Sequence, residues 1–286
     1  MSFIKKCGLT LFAAAAFQTQ AASVWKVMSG THILYLGGTI HILAPEDYPL
    51  PQAYDEAYRA SDKVVFETDI QALNSREFQQ KLVNQLSYSD GTTIDQVLKP
   101  DTYQALARFL EERHIPMDKM EALKPSLIAM TLSMIELQSL GFTSEGVDQF
   151  YSAKAVMDDK NQAWLEAPQD QINALESLGA GDESEMIDYS LQDIKDMPST
   201  VNELRKIWRD GNMDAMAEAT ITDFKEDYPE IYQTLLVERN NHWLPQIKTM
   251  LNDNGTEFIM VGTMHLAGPD GLLAKLAASG YQIEKL

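Results

Sequence analysis

Apolar positions in this chain follow two rhythms, and the rhythms are segregated along it. Short apolar runs, as expected of buried strands, fall at 33–36, 64–66 and 258–261, and two more, each broken by one polar residue, at 24–27 near the start and 281–283 near the finish. Between them the apolar residues recur at helical spacing, which predicts helices over 78–86, 102–113, 126–140 with Gly141 as a stop, 146–158, 169–178, 184–196 and 198–210. A short strand over 163–165 interrupts this helical stretch, and a further helix is expected over 229–252. No segment is rich enough in Gly, Ser or Pro to act as a flexible linker. The pattern predicts one α/β domain over 23–286: a mixed sheet built from two βαβ-type units at the chain ends, with a large helical insertion between them.

The two end units share a phrase. Gly38-Thr39-Ile40-His41 follows the second apolar run, and Gly262-Thr263-Met264-His265 follows the run at 258–261. Each copy continues through a loop holding Pro and an acidic residue (Pro45-Glu46, Pro269-Asp270) into a helical stretch (53–60, 272–278) and a second apolar run (64–66, 281–283). Such units make parallel strands joined by crossovers. A single His after a strand is ordinarily a hydrogen-bonded turn residue. A turn, however, has no physical need for His three positions after Gly in both copies. With only five histidines in the chain, the repetition points to one site shared by His41 and His265 at the carboxyl ends of the strands, where open α/β sheets place ligands. A separation of more than about 10 Å between the two rings would exclude it, since one cation cannot bridge that span.

Three further residues join this site. Glu67 closes the apolar run Val64-Val65-Phe66 at the same sheet edge as His41, and Glu166 repeats the arrangement after Trp164-Leu165. On the helix over 229–252 the i+4 series reads Ile231, Leu235, Arg239, Trp243, Ile247, Leu251, so a guanidinium interrupts an apolar stripe and must meet carboxylates or a ligand. Pro245 should kink that helix near Asn241. Asn240 is a weaker companion; His32 and His114 are expected at the surface, and His242, though near Arg239, stays outside the ligand set. Met117, Met120, Met130 and Met134 read as core packing, and the acidic run Asp182-Glu183-Ser184-Glu185 as a solvated helix start.

Charge and targeting narrow the function. Residues 1–22 have the form of a secretory signal: Lys5 and Lys6, an apolar run over 7–17 and small residues ending Ala21-Ala22. Its removal takes away the only cysteine, Cys7, and with it disulfides and thiol chemistry. It also moves the formal charge from -19 to -21, because two lysines and no acidic residue leave. So acidic a surface disfavours nucleic acid and anionic lipid, and no later stretch is long enough for a stable membrane anchor. The mature protein is expected in the periplasm or secreted.

Two imidazoles with one or two carboxylates (His41, His265, Glu67, Glu166) make a nitrogen and oxygen set suited to Mn²⁺, Fe²⁺, Co²⁺ or Zn²⁺ with a position left for water. Without a metal, a His–Glu pair could activate water while Arg239 stabilises an oxyanion. The paired Gly-Thr-x-His phrases, Glu67, Lys124-Pro125, Gly146-Val147-Asp148, Leu165-Glu166 with Gln171, and Glu238-Arg239-Asn240 together resemble the TraB/PrgY/GumN family, which includes the Tiki proteases. The resemblance runs over essentially the whole mature chain. It implies an α/β fold akin to that of erythromycin esterases and ChaN-like proteins, and a peptidase activity dependent on Mn²⁺ or Co²⁺ with His41, His265 and Glu67 central and Arg239 and Glu166 supporting. Other members are described as regulators of peptide pheromone signalling or belong to polysaccharide gene clusters. Ala167-Pro168 departs from the family, which commonly has Thr and an apolar residue there. The leading expectation is a secreted metal-dependent hydrolase acting on a peptide or other small polar substrate. The alternatives are a non-catalytic peptide- or metal-binding regulator and a metal-independent esterase.

Overall fold

A computed structural model describes residues 22–143, 145–178 and 182–286. The expected signal segment lies outside these, apart from its last residue, Ala22. Six strands form one mixed sheet: β1 (Val24–Ser29), β2 (His32–Thr39), β3 (Lys63–Phe66), β4 (Asn161–Trp164), β5 (Glu257–Gly262) and β6 (Gln282–Lys285). Their spatial order is β4-β3-β5-β2-β1-β6. β2, β3, β4 and β5 pair in parallel, β1 pairs antiparallel with both β2 and β6, and five of the six strands therefore run the same way.

The expected architecture is present, with one change in its connections. The two terminal units interleave within the sheet. β5 inserts between β2 and β3, and the crossover from β5 to β6 passes over β2 and β1. The glycine phrases explain why. β2 and β5 pair directly, with Thr39 opposite Gly262, so the centre of the sheet belongs to the two motif strands and their second strands are pushed outward.

Strand alternation buries both faces. On one face Val64, Phe66, Phe258 and Met260 pack under helix α1 (Gln52–Ala60) and its Tyr54, Ala57 and Tyr58, together with Tyr151 and Trp208. On the other face Leu34, Leu36, Val65, Ile259 and Val261 pack against Trp243, Ile247, Leu251, Leu272 and Leu276. Residues buried on both sides of the sheet are what continuous apolar runs predict.

Between β3 and β4 lie the short helix α2 (Ile70–Leu73), then α3 (Pro125–Ser139) and α4 (Val147–Met157). A separate apolar cluster of the helical insertion joins Leu106, Leu110, Met120, Ile128 and Leu132 to Ile187, Leu191 and Ile194, so Met120 is core as expected. Two expected helices are in fact one. α5 (Glu183–Asp210) runs 28 residues through Pro198. The lost backbone donor is outweighed by the buried row Ile187, Leu191, Ile194 and Met197 on one side of the proline and Trp208 on the other.

The helix expected over 229–252 is not regular. An α-helical turn (Pro229–Tyr232) passes into a π-helical segment (Gln233–Glu238) before α6 (Arg239–Met250). The wider turn rotates the upstream stripe by one residue: Tyr232 and Leu236 are buried, whereas the expected Ile231 and Leu235 are only partly so. The departure from α-helical winding thus falls just before Arg239, and α6 continues through Pro245. No helix among the described residues is long and apolar enough to cross a membrane.

Candidate active site

The site forms where three adjacent parallel strands end. β2 delivers His41, β3 delivers Glu67, and between them β5 runs into a 3-10 turn (Thr263–Leu266) that carries His265. Gly262 marks the point of convergence. A methyl group at its α-carbon would lie 3.2 Å from Glu67 Oε1, 3.6 Å from His265 Cδ2 and 3.8 Å from His41 Nε2. The two imidazoles are therefore no farther apart than the last two lengths laid end to end, well inside the span that would exclude a shared site. Glu67 Oε1 is 4.0 Å from His265 Nε2.

Glu67 is buried and fully engaged. Its Oε1 accepts the Gly262 N–H at 2.6 Å and its Oε2 accepts Arg239 Nη2 at 2.6 Å. Burial pushes this carboxyl up, but the Arg239 guanidinium, the two imidazoles and the Gly262 N–H outweigh it and hold the pKa down to about 2. The group is a carboxylate throughout the physiological range.

Arg239 is the hub. Its Nε and Nη2 donate to Glu166 Oε2 and Oε1 at 3.1 and 2.7 Å, and Nη1 lies 3.2 Å from His265 Nε2. Glu166 also accepts Gln171 Nε2 at 2.6 Å and Trp243 Nε1 at 3.1 Å, so both its oxygens are committed. Burial raises the Glu166 carboxyl against the pull of Arg239. The guanidinium further stacks 4.7 Å above the Trp243 ring. The buried charge is thus paired, as its position in an apolar stripe requires, and the structure sets Glu166 on Arg239 instead of turning it toward the two histidines.

The two histidines sit in opposite environments. His265 is buried, its Nδ1 2.8 Å from Asn240 Oδ1 and its ring 4.5 Å from that of Trp243. Asn240 Nδ2 donates to the backbone oxygens of His265 and Asp270, which fixes its amide so that Oδ1 accepts from His265 Nδ1–H. With Arg239 donating to it, Nε2 carries a lone pair. Burial is the main cause lowering the His265 pKa to about 4, with Arg239 and His41 in support and Glu67 opposing. His41, by contrast, is 62% exposed and has Nδ1 2.9 Å from Asp148 Oδ2. That carboxylate raises the imidazole's pKa, while solvent on the open side of the ring screens the pair.

Sequence reasoning noted Asp148 only as part of a motif phrase and gave it no role. The signal was the phrase itself. Gly146 lies against the His41 backbone, where a Cβ would come 2.3 Å from His41 C and 2.4 Å from Ile40 O, and Val147 N–H donates to Ile40 O at 3.0 Å. The start of α4 is thereby docked on the first histidine phrase, and Asp148 follows in position to hold the ring. His32 bonds Asp253 O, outside the site, and Asn240 is promoted from companion to the group that orients His265.

A cleft of about 220 Å³ opens beside these residues. Phe66, Ile70, Leu73 and Met260 line its apolar side, and Asn74, Gln149 and Gln171 bring amides. Thr39 Oγ1, Thr68 Oγ1 and Asp148 Oδ1, all on residues of this wall, are buried without a hydrogen-bond partner among the described residues. Such atoms are costly unless something completes them.

For a divalent ion the donors are right in kind. His41 Nε2, His265 Nε2 and a second lone pair on a Glu67 oxygen would be the ligands, and each imidazole has its Nδ1 held by an oxygen, as metal-bound histidines usually do. Among the described residues no three such groups are already disposed as a cation cluster. Arg239 must yield its contact with His265 Nε2 before both imidazoles can serve one ion.

The model of the TraB/PrgY/gumN family matches residues 23–285, nearly the whole chain. No match was found among curated proteins or among solved structures.

Proposed function

The chain belongs to the TraB/PrgY/gumN family, and from that premise and the geometry of the cleft we propose that it is an exported hydrolase that cleaves peptides with a water activated by a divalent metal ion. The observation that carries this reading is the meeting of His41, His265 and Glu67 around Gly262 at the ends of three strands. In this reading His41, His265 and Glu67 would hold the ion, Mn²⁺ or Co²⁺ by family resemblance. When bound, the ion would supply a water acidic enough to serve as hydroxide near neutral pH.

The chain's own residues do the rest. Asp148 and Asn240 each hold an imidazole by Nδ1, which leaves Nε2 as the donor atom of each ring, His41 on the cleft wall and His265 behind it against Arg239. Glu67, ionised and 2.6 Å from the Gly262 N–H, stays fixed as an acceptor. Arg239, anchored through Glu166, keeps a guanidinium edge at the site, where it can meet the oxygen that becomes negative as a carbonyl is attacked. The side-chain amides of Asn74, Gln149 and Gln171 on the cleft wall give a polar substrate places to bond.

One observation favours the metal-free route. Arg239 already stands against both His265 and Glu67, where an ion would have to sit; once its Nη1 swings off His265 Nε2, the freed lone pair of neutral His265 takes the proton from water and the freed Nη1 N–H meets the oxyanion. A peptide-library digest with purified protein, before and after chelation, separates the readings. The metal reading expects cleavage that chelation abolishes and Mn²⁺ or Co²⁺ restores. Cleavage insensitive to chelation selects the metal-free hydrolase, and no His41-dependent cleavage under any condition leaves only a binding protein.

A further inference from the structure

The sheet edge nearest the cleft has a feature the chemistry above does not use. β4 pairs with β3 on one side, and among the described residues no strand pairs with its other side. Leu165 N–H donates to Phe66 O, toward β3, at 3.0 Å. Backbone groups alternate from side to side along a strand, so the N–H and C=O of Gln162 and Trp164 face outward. Trp164 is opposite Phe66 in the ladder, so its side chain shares the sheet face of that cleft-wall residue. Its indole is 45% exposed, whereas Trp25, Trp208 and Trp243 are 6% exposed or less. Ser152 of α4 bonds Gln162 on this face, which seats β4 against that helix. Beyond Trp164 the chain runs straight into Leu165 and Glu166, the anchor of Arg239.

We propose that an extended segment of a peptide substrate adds to the outer edge of β4 as a seventh strand, with Trp164 receiving one of its apolar side chains, and enters the cleft from there. This rests on the peptide-hydrolase reading and deepens it. The occupant is a peptide because the edge offers backbone donors and acceptors at strand spacing, which another extended backbone matches and a saccharide does not. Trp164, exposed at the end of β4 nearest the cleft, supplies the apolar contact that strand addition uses for side-chain choice. Strands lie about 4.8 Å apart, so the added segment runs about 10 Å from β3, whose end carries Glu67. About three extended residues cover that distance, so hydrolysis should improve steeply once a peptide extends beyond the scissile bond by this connector plus a pairing segment.

Acrylamide quenching of tryptophan fluorescence reads Trp164 almost alone, because the other three tryptophans are buried. The probes are an end-blocked hexapeptide of alternating Val and Thr and its fully N-methylated analogue. The proposal expects the first to lower the quenching constant by about half at saturation and the second to leave it unchanged. Gln162→Pro removes an outward N–H and no ladder bond, and should abolish protection while circular dichroism stays native; the methylated peptide makes the same test without altering the protein. Equal protection by both peptides, or protection by neither, overturns the proposal, as does protection by a linear hexasaccharide in their place. Protection without any cleavage would sink the hydrolase reading and leave the edge site standing; cleavage without protection would do the reverse.

Discussion

At the scale of single residues, the site is a balance of buried charge. Arg239 neutralises Glu67 and Glu166, and among the described residues neither carboxylate has another cationic side chain at salt-bridge distance, the His265 imidazole 4.0 Å from Glu67 being neutral. Arg239→Ala leaves two largely buried carboxylates unpaired and should cost about 3–5 kcal/mol in urea unfolding; a loss under 1 kcal/mol would show that the pairs are solvent-screened. Gly262→Ala tests the convergence from the opposite direction. Its methyl would sit 3.2 Å from Glu67 Oε1 and 3.8 Å from His41 Nε2, a small steric change at the reacting centre. We expect peptide hydrolysis to fall by about 10²-fold with the melting temperature little changed. The identities of these residues were legible in the sequence because the glycine-histidine phrase is doubled and because a charge interrupts an apolar stripe. Their partners were less so. Which of Glu67 and Glu166 holds Arg239, and that both do, depends on side-chain reach across 172 and 73 positions, which no local pattern encodes.

At the scale of elements, strands were easier to read than helix irregularities. Short apolar stretches marked the place of each of the six strands, continuous in β2, β3 and β5 and broken or partial in β1, β4 and β6, but the order in which they pair was not in them, and so the interleaving of the two end units became visible only in the fold. The π-helical segment before Arg239 leaves no compositional mark; it arises from fitting Tyr232 and Leu236 into one core and Trp243 and Ile247 into another. Pro198 misled in the opposite sense, because helix packing outweighed its lost hydrogen bond. The docking of α4 on the first histidine phrase is the element contact with the clearest consequence. In Gly146→Ala the added methyl meets the His41 backbone, so α4 must shift and carry Asp148 with it. Asp148 is what raises the His41 pKa, and the imidazole titration followed by NMR should therefore move down toward 6.5. An unchanged titration would mean that Asp148 is held by something other than this contact.

At the scale of the whole molecule, the two best-buried site groups set an acid limit on stability. In the metal-free protein the pKa of His265 lies at about 4, below its ordinary 6.5, and that of Glu67 at about 2, below its ordinary 4.5. Each group binds fewer protons folded than unfolded, so its contribution is complete above the ordinary value and is lost as pH falls through the folded one. The groups facing His265 are Arg239, Glu67, His41, Asn240 and Trp243. Stability of the chelated protein should fall by on the order of 2–3 kcal/mol between pH 6.5 and 4 on account of His265 alone. His265→Gln should flatten that interval in urea titrations and leave the steeper loss below pH 4.5; an unaltered slope would place His265 in water.

Two histidines more than two hundred residues apart, His41 and His265, must work as one unit for the cleft to carry this chemistry. The most direct measurement is a double-mutant cycle on kcat/KM for a peptide that the wild-type protein cleaves, using His41→Ala, His265→Ala and the pair. A shared centre predicts that each single change removes nearly all of the activity and that the double change removes little more. Losses that multiply, with each single variant keeping a substantial independent fraction of the rate, would contradict it.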